Sequence, residues 1–192
     1  MRNAGKIMVV VAAALSLAAC ANSQVASSYP PGGGPTYPAP NPVGASSAAA
    51  QPSTPSHVCT ADDVTVTGAF GSKPTVTIPD TCAPPTTLLT KDLTAGTGTA
   101  AHNGSTVTVN YDLYTWSDKK EQDTSFGSQP YPVTLGQGQT IPGFEQGLAG
   151  MKQGGRRLLV IPPDLGYGPS GNGPVKPNET LVFVVDAVQV SG

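Results

Sequence analysis

Charge is scarce in this chain. Only 11% of its residues are Asp, Glu, Lys or Arg, and the formal net charge is -2. No basic run is present to neutralise a phosphate backbone, which excludes nucleic acid as a partner. Histidine is scarcer still: His57 and His102 are the only two. One stands at the margin of a linker and the other in a Gly-rich loop. Neither suits a nucleophilic triad, and no G-x-S-x-G accompanies them. With so little His, no metal ligand set is expected, and no cofactor motif is evident. No G-K-[S/T] exists, so there is no phosphate loop. Asp123, Asp164 and Glu145 lack a spacing diagnostic of paired-carboxylate hydrolysis and read as turn or helix-surface residues. No apolar run is long enough for a transmembrane helix, which needs about 20 residues.

What the chain does have is Gly (23) and Pro (20), and hence much turn and linker. Arg2 and Lys6 precede a short apolar run, IMVVVAAALSLAA, at 7–19. A positive start, a short apolar middle and small residues at the end describe a secretory signal. The closing LAAC resembles the bacterial lipobox, which implies lipidation at Cys20 and an anchor on the extracytoplasmic face of the cell membrane. Residues 21–56 carry no charge and no hydrophobic period. Such a stretch buries too little surface to offset its ordering entropy, so a disordered tether is expected. The expected organisation is a signal at 1–19, a lipidated cysteine and linker at 20–56, a hairpin extension at 57–86 and a folded domain at 87–192.

An exported chain makes a disulfide the default for the other two cysteines, Cys59 and Cys82. Between them, VTVTGAFGSKPTVTIP alternates on both sides of a turn and predicts a β-hairpin, which would bring its ends together. Closing this loop stabilises by ~3 kcal/mol in the chain-entropy picture.

Beyond Pro84, TTLLTKDL predicts a strand. STVTVNYDLYTW predicts another, with Val107, Val109, Tyr111 and Leu113 on one face and Thr106, Thr108, Asn110 and Asp112 on the other. YPVTL, RRLLVI and TLVFVVDAVQV add three more. PGFEQGLAGMKQ predicts the single helix: Pro142 starts it, Phe144, Leu148 and Met151 make its apolar stripe, and Gly154 and Gly155 end it. The simplest solution is α+β, an antiparallel sheet with one helix packed on it. A G-x-G-x-x-G spans 166–171 in VIPPDLGYGPSGNG, but its prolines forbid the helix that a dinucleotide loop requires. Aromatics in Gly/Pro-rich loops, Tyr131 and Tyr167, instead suggest a pocket mouth.

The order of motifs is decisive. VNYDL, DTS, LGQGQTIPGFEQGLAGMKQGGRRLLVIPPDLGYG and PNETLVFVV together resemble the FKBP-type peptidyl-prolyl cis-trans isomerases over roughly residues 87–190. The resemblance implies a five- or six-stranded antiparallel sheet wrapped around one helix. It implies a pocket in which Tyr111, Asp123, Tyr167 and Phe144 carry the reaction, Phe144 standing where the family has a floor tryptophan. Tyr131, Val175 and Phe183 match apolar or aromatic wall positions, and the Ile141 N–H matches a donor to a substrate carbonyl. Implied partners are proline-containing clients and macrolides of the tacrolimus or rapamycin type; a monomer is expected, although no sequence feature sets the oligomeric state. The sequence departs from the family at Gln122, where Phe usually precedes the pocket aspartate, and the next loop lacks an arginine common there. Phe126 is expected to swing in as the replacement aromatic.

This chemistry suits the absences. Rotation about an X–Pro bond meets a barrier of ~18–20 kcal/mol without any covalent bond being made or broken. An apolar pocket and two carbonyl donors suffice in principle. The expected function is isomerisation of X–Pro bonds in exported proteins. The rivals are a non-catalytic module that holds proline segments in the same pocket, fed by Gln122, and a structural envelope protein with a vestigial pocket.

Overall fold

A computed structural model describes residues 57–192. The expectations for residues 1–56, Cys20 included, lie outside the described residues. The described residues form a six-stranded antiparallel sheet, one α-helix, and a small hairpin that packs against the sheet.

The hairpin comes first. β1 (Thr65–Thr67) pairs with β2 (Thr75–Thr77), Val66 opposite Val76. The expected disulfide closes its base: Cys59 and Cys82 are bonded, with Cα atoms 5.1 Å apart, and both are buried. The backbones beside it also pair, Cys59 N–H donating to Ala83 C=O at 2.8 Å and Ala83 N–H to His57 C=O at 2.8 Å.

The sheet contains β3 (Leu89–Thr94), β4 (Thr106–Thr115), β5 (Glu121–Thr124), β6 (Tyr131–Thr134), β7 (Arg156–Ile161) and β8 (Leu181–Ser191). Their order is β3-β7-β8-β4, after which β5 and β6 share the far edge of β4. β6 takes the first half of β4, with Val107 opposite Val133, and β5 takes the second, with Leu113 opposite Asp123. Pro132 faces no other partner strand, which is where a residue without an N–H belongs.

The helix α1 (Pro142–Leu148) lies on one face of the sheet. It stops well short of the predicted end. Gly150 adopts φ 73°, and the chain leaves the helix to pair with the preceding loop. Gly150 N–H donates to Ala101 C=O and Ala101 N–H to Met151 C=O, each at 2.8 Å, in place of helical bonds. Met151 is still buried with Phe144 and Leu148, but from an extended segment. Close approach explains the glycines of α1. A Cβ on Gly143 would stand 2.4 Å from Ile161 Cγ2, and one on Gly147 2.7 Å from the Leu159 methyls. Both positions seat the helix directly on β7.

The sheet is buried on both faces. Val107, Val109, Leu159, Phe183 and Val185 pack with α1. Leu158, Val160, Val182 and Val184 pack instead with Val64, Ile78, Trp116 and the disulfide of the hairpin region. This corrects the half-exposed reading of β4: Asp112, on the predicted polar face, is fully buried. Tyr114 hydroxyl donates to its Oδ2 at 3.1 Å. Burial raises the Asp112 carboxyl above the usual range, helped by Glu121 and opposed by Tyr114 and Lys73.

The hairpin tip is fastened by ions. Arg156 (1% exposed) and Asp186 (0%) pair through two bonds, Nε to Oδ1 at 2.6 Å and Nη2 to Oδ2 at 2.8 Å. Arg156 also donates to the carbonyls of Gly68 (2.8 Å) and Ser72 (2.6 Å), and Asp186 accepts the Gly71 N–H at 2.7 Å. A covalent bond thus holds the base of the hairpin, and a hydrogen-bonded ion pair holds its tip.

Candidate functional site

A cavity of about 520 Å³ opens between the second half of β4, β5, the start of α1 and the loop after β7. The alternation of β4 sends Tyr111 and Leu113 into it, and β8 contributes Phe183 from the neighbouring strand. Phe144, one turn into α1, forms the floor. The Phe144 and Phe183 rings lie 4.9 Å apart between centroids. Tyr111 meets Phe144 edge-on at 6.3 Å and Tyr131 edge-on at 6.3 Å. These separations fall in the favourable range for aromatic pairs. Tyr131 stands at the mouth, 44% exposed.

Asp123 supplies the pocket's charge. Tyr111 hydroxyl donates to its Oδ2 at 2.6 Å, and Thr124 N–H to its Oδ1 at 2.9 Å. Burial raises the Tyr111 hydroxyl well above the usual phenol range, and the carboxylate beside it adds to the shift. The tyrosine therefore stays a neutral donor at any physiological pH. Its backbone is pinned too: Tyr111 N–H donates to Ser125 Oγ at 2.9 Å, and Ser125 N–H donates to Tyr111 C=O at 2.9 Å.

Among the donors of the lining that meet no acceptor among the described residues are the two that the resemblance implies. Ile141 precedes Pro142, which holds it extended at φ -63°, ψ 144° as the N-cap of α1. Its C=O accepts from Phe144 N–H at 3.0 Å, while its own N–H meets no protein acceptor among the described residues. Tyr167 caps a short 3-10 turn at Gly168–Ser170, and no hydrogen bond among the described residues occupies its hydroxyl. Glu145 steadies the approach to Ile141, accepting from Gly136 N–H (2.8 Å) and Thr140 N–H (3.3 Å). Burial pushes its carboxyl up, but the backbone donors of this loop outweigh it and leave it below the usual range.

Of the nine residues expected in the pocket, the structure brings seven together: Tyr111, Asp123, Tyr131, Ile141, Phe144, Tyr167 and Phe183. Val175 is not on the wall. It is buried in the core beneath, its N–H and C=O closing a small loop with Asn172, and Asn172 lines the cavity instead. Phe126 does not replace the missing aromatic. Its ring lies against the Arg156 guanidinium, 5.7 Å from centroid to Cζ, and Arg156 is buried at the hairpin tip. That cation gives the ring a better partner than a solvated pocket rim.

Gln122 is absent from the pocket for a local reason. Leu113 pairs with Asp123 but Tyr114 pairs with Glu121, so Gln122 is the extra residue of a β-bulge. Its amide donates to Thr115 Oγ1 at 2.8 Å, away from the cavity. Leu113, Gln139, Thr140, Pro142 and Asn172 complete the lining and were missed by sequence reasoning. The β4 alternation placed Leu113 on the same face as Tyr111, which was the available signal for that residue.

Residues 97–188 match the family described as FKBP-type peptidyl-prolyl cis-trans isomerase. An FK506-binding protein of Streptomyces anulatus is 46% identical over 110 residues, covering 56% of this chain and 89% of the relative. One from Neisseria meningitidis serogroup B is 39% identical over 104 residues, covering 54% and 95%. Among solved structures, FkpA from Escherichia coli is similar with TM-score 0.50 and 40% identity, over 54% of this chain and about half (48%) of FkpA. With near-complete coverage of its shorter relatives and an aromatic cavity on the matched segment, this chain belongs to the FKBP-type peptidyl-prolyl cis-trans isomerases and is an enzyme of that class.

Proposed function

We propose that the enzyme isomerises X–Pro bonds of exported polypeptides by a non-covalent mechanism in the aromatic cavity. The observation that carries this reading is the pairing of an aromatic floor with two unused donors, the Ile141 N–H and the Tyr167 hydroxyl. The proline ring sits on Phe144, flanked by Phe183 and Tyr111. The donors hold the carbonyls on either side of the bond. The planar amide is the more polar state, stabilised by water. Excluding that water raises the ground state relative to the twisted one, whose nitrogen has lost conjugation. Asp123 orders Tyr111 and hence one wall. Each tenfold acceleration requires about 1.4 kcal/mol of preference for the twisted state.

Exchange NMR on a proline tetrapeptide with the full chain tests this. Catalysed cis–trans exchange at substoichiometric protein is expected, and Tyr167→Phe is expected to lower kcat/KM by about tenfold, the scale of one lost hydrogen bond. Binding without exchange would favour the non-catalytic module.

The lipobox-like LAAC and the charge-free stretch after it support an anchor at Cys20. The anchored enzyme works outside the cytoplasm, where its disulfide persists and its clients are newly exported chains. In a native host, Cys20→Ser is expected to move the protein from the membrane fraction to the soluble one. Cys20→Ser retained in membranes after confirmed signal cleavage would overturn the anchor.

A further inference from the structure

Asp123 is the only charged side chain among the cavity-lining residues; the other polar ones, Tyr111, Tyr131, Gln139, Thr140, Tyr167 and Asn172, are neutral. Its two hydrogen-bond donors, the Tyr111 hydroxyl and the Thr124 N–H, are neutral as well, so they orient the carboxylate without cancelling its charge. None of the ion pairs among the described residues includes it. Lys176, on the loop that carries Asn172, is turned to Asp118 at 3.2 Å. Behind the rim at 136–140 stands a second carboxylate, Glu145. The imbalance is general: after Arg2 and Lys6, the chain carries eight basic side chains against twelve acidic ones.

From this arrangement we propose that the pocket selects its substrates by charge, favouring X–Pro segments with a basic residue beside the proline and disfavouring acidic ones. The inference rests on the cavity being the isomerase site. A proline seated on Phe144 leaves the neighbouring side chain at the mouth, within reach of the Asp123 field. At a separation of about 7 Å and an intermediate effective dielectric, one charge there changes affinity by about fivefold, in opposite senses for Lys and Glu. Rotation about the bond does not change the sign of that charge. The interaction is therefore close to equal in the planar and twisted states and falls mainly on KM.

The test uses three tetrapeptides that differ only in the residue before proline: Lys, Gln or Glu. Their kcat/KM values are measured by exchange NMR on the full chain. In about 20 mM salt the Lys peptide is expected to exceed the Glu peptide by about 25-fold, with Gln between. At about 0.5 M salt the ratio should fall severalfold by screening. Asp123→Asn lowers turnover of all three peptides, yet the Lys-to-Glu ratio should collapse to within about twofold. Equal values for Lys and Glu in the parent enzyme, with Gln turned over, would overturn the selectivity and leave the isomerase reading intact. A ratio unchanged in Asp123→Asn would overturn the assignment to this carboxylate. No turnover of any peptide would overturn the isomerase reading, and the Kd ratio from the same titration would then decide the selectivity.

Discussion

Phe144→Ala is expected to reduce kcat/KM by about a hundredfold, the largest loss from any single pocket residue. A factor of that size corresponds to about 2.7 kcal/mol of lost transition-state preference. The ring is only 4% exposed, contacts Phe183 at 4.9 Å and supports Tyr111 at 6.3 Å. Truncation removes the floor and loosens both flanking rings together. It also leaves a cavity in the core, at a cost of about 3–5 kcal/mol of stability. The companion variant Phe144→Leu separates the two effects. Leucine retains apolar volume and costs roughly 1.5 kcal/mol or less, but it offers no flat surface to a proline ring. If the floor acts by shape, Phe144→Leu remains folded and still loses at least about tenfold, with kcat falling more than KM rises. Parent-like kcat/KM for Phe144→Leu, measured where circular dichroism shows both proteins folded, would mean that any apolar floor suffices.

Much of this pocket was legible because the order of motifs resembles one family, which implied Tyr111, Asp123, Ile141, Phe144 and Phe183; the residues alone pointed only to Tyr131 and Tyr167, as aromatics in Gly/Pro-rich loops. Tyr111 lies in an alternating strand, Ile141 before a helix-starting proline, and Tyr167 in a loop that its own prolines keep from becoming a helix. Where the reading failed, the cause was a pairing that no local sequence pattern displays. Phe126 left the pocket because Arg156, thirty residues later, stands on the other side of the sheet. Gln122 left it because a bulge one residue long shifts the β4–β5 register, and bulges have no strong mark in sequence. The helix ended early because the loop at 96–101 offered its backbone as a competing partner. Burial of both sheet faces did leave a trace. LVFVVDAV in β8 does not alternate, and a strand that is apolar at consecutive positions is covered on both sides. The single Asp inside that run is buried and paired in the structure, a feature the sequence reading passed over.

That partner gives the second large effect. Asp186→Ala is expected to destabilise the protein by about 3–5 kcal/mol in urea unfolding, because it leaves Arg156 charged, buried and without its carboxylate. The Gly71 N–H loses its acceptor in the same step. The carbonyls of Gly68 and Ser72 cannot compensate, since they are dipoles facing a full charge. The disulfide remains, so the base of the hairpin is retained while the tip lifts. Amides of Thr65–Thr67 and Thr75–Thr77 should therefore exchange with solvent faster than those of β7 and β8. The double variant Arg156→Met, Asp186→Leu removes both charges and keeps apolar volume. It should recover more than half of the loss, because the cost lies in the orphaned ion rather than in the missing bond. Recovery of stability without recovery of slow exchange in the hairpin would be equally informative. It would show that the ion pair's specific contribution is to hold the tip, through Gly68, Gly71 and Ser72, and that apolar packing alone cannot replace those three bonds. A loss below about 1 kcal/mol for Asp186→Ala would contradict the argument, since a guanidinium 1% exposed has no solvent to turn to.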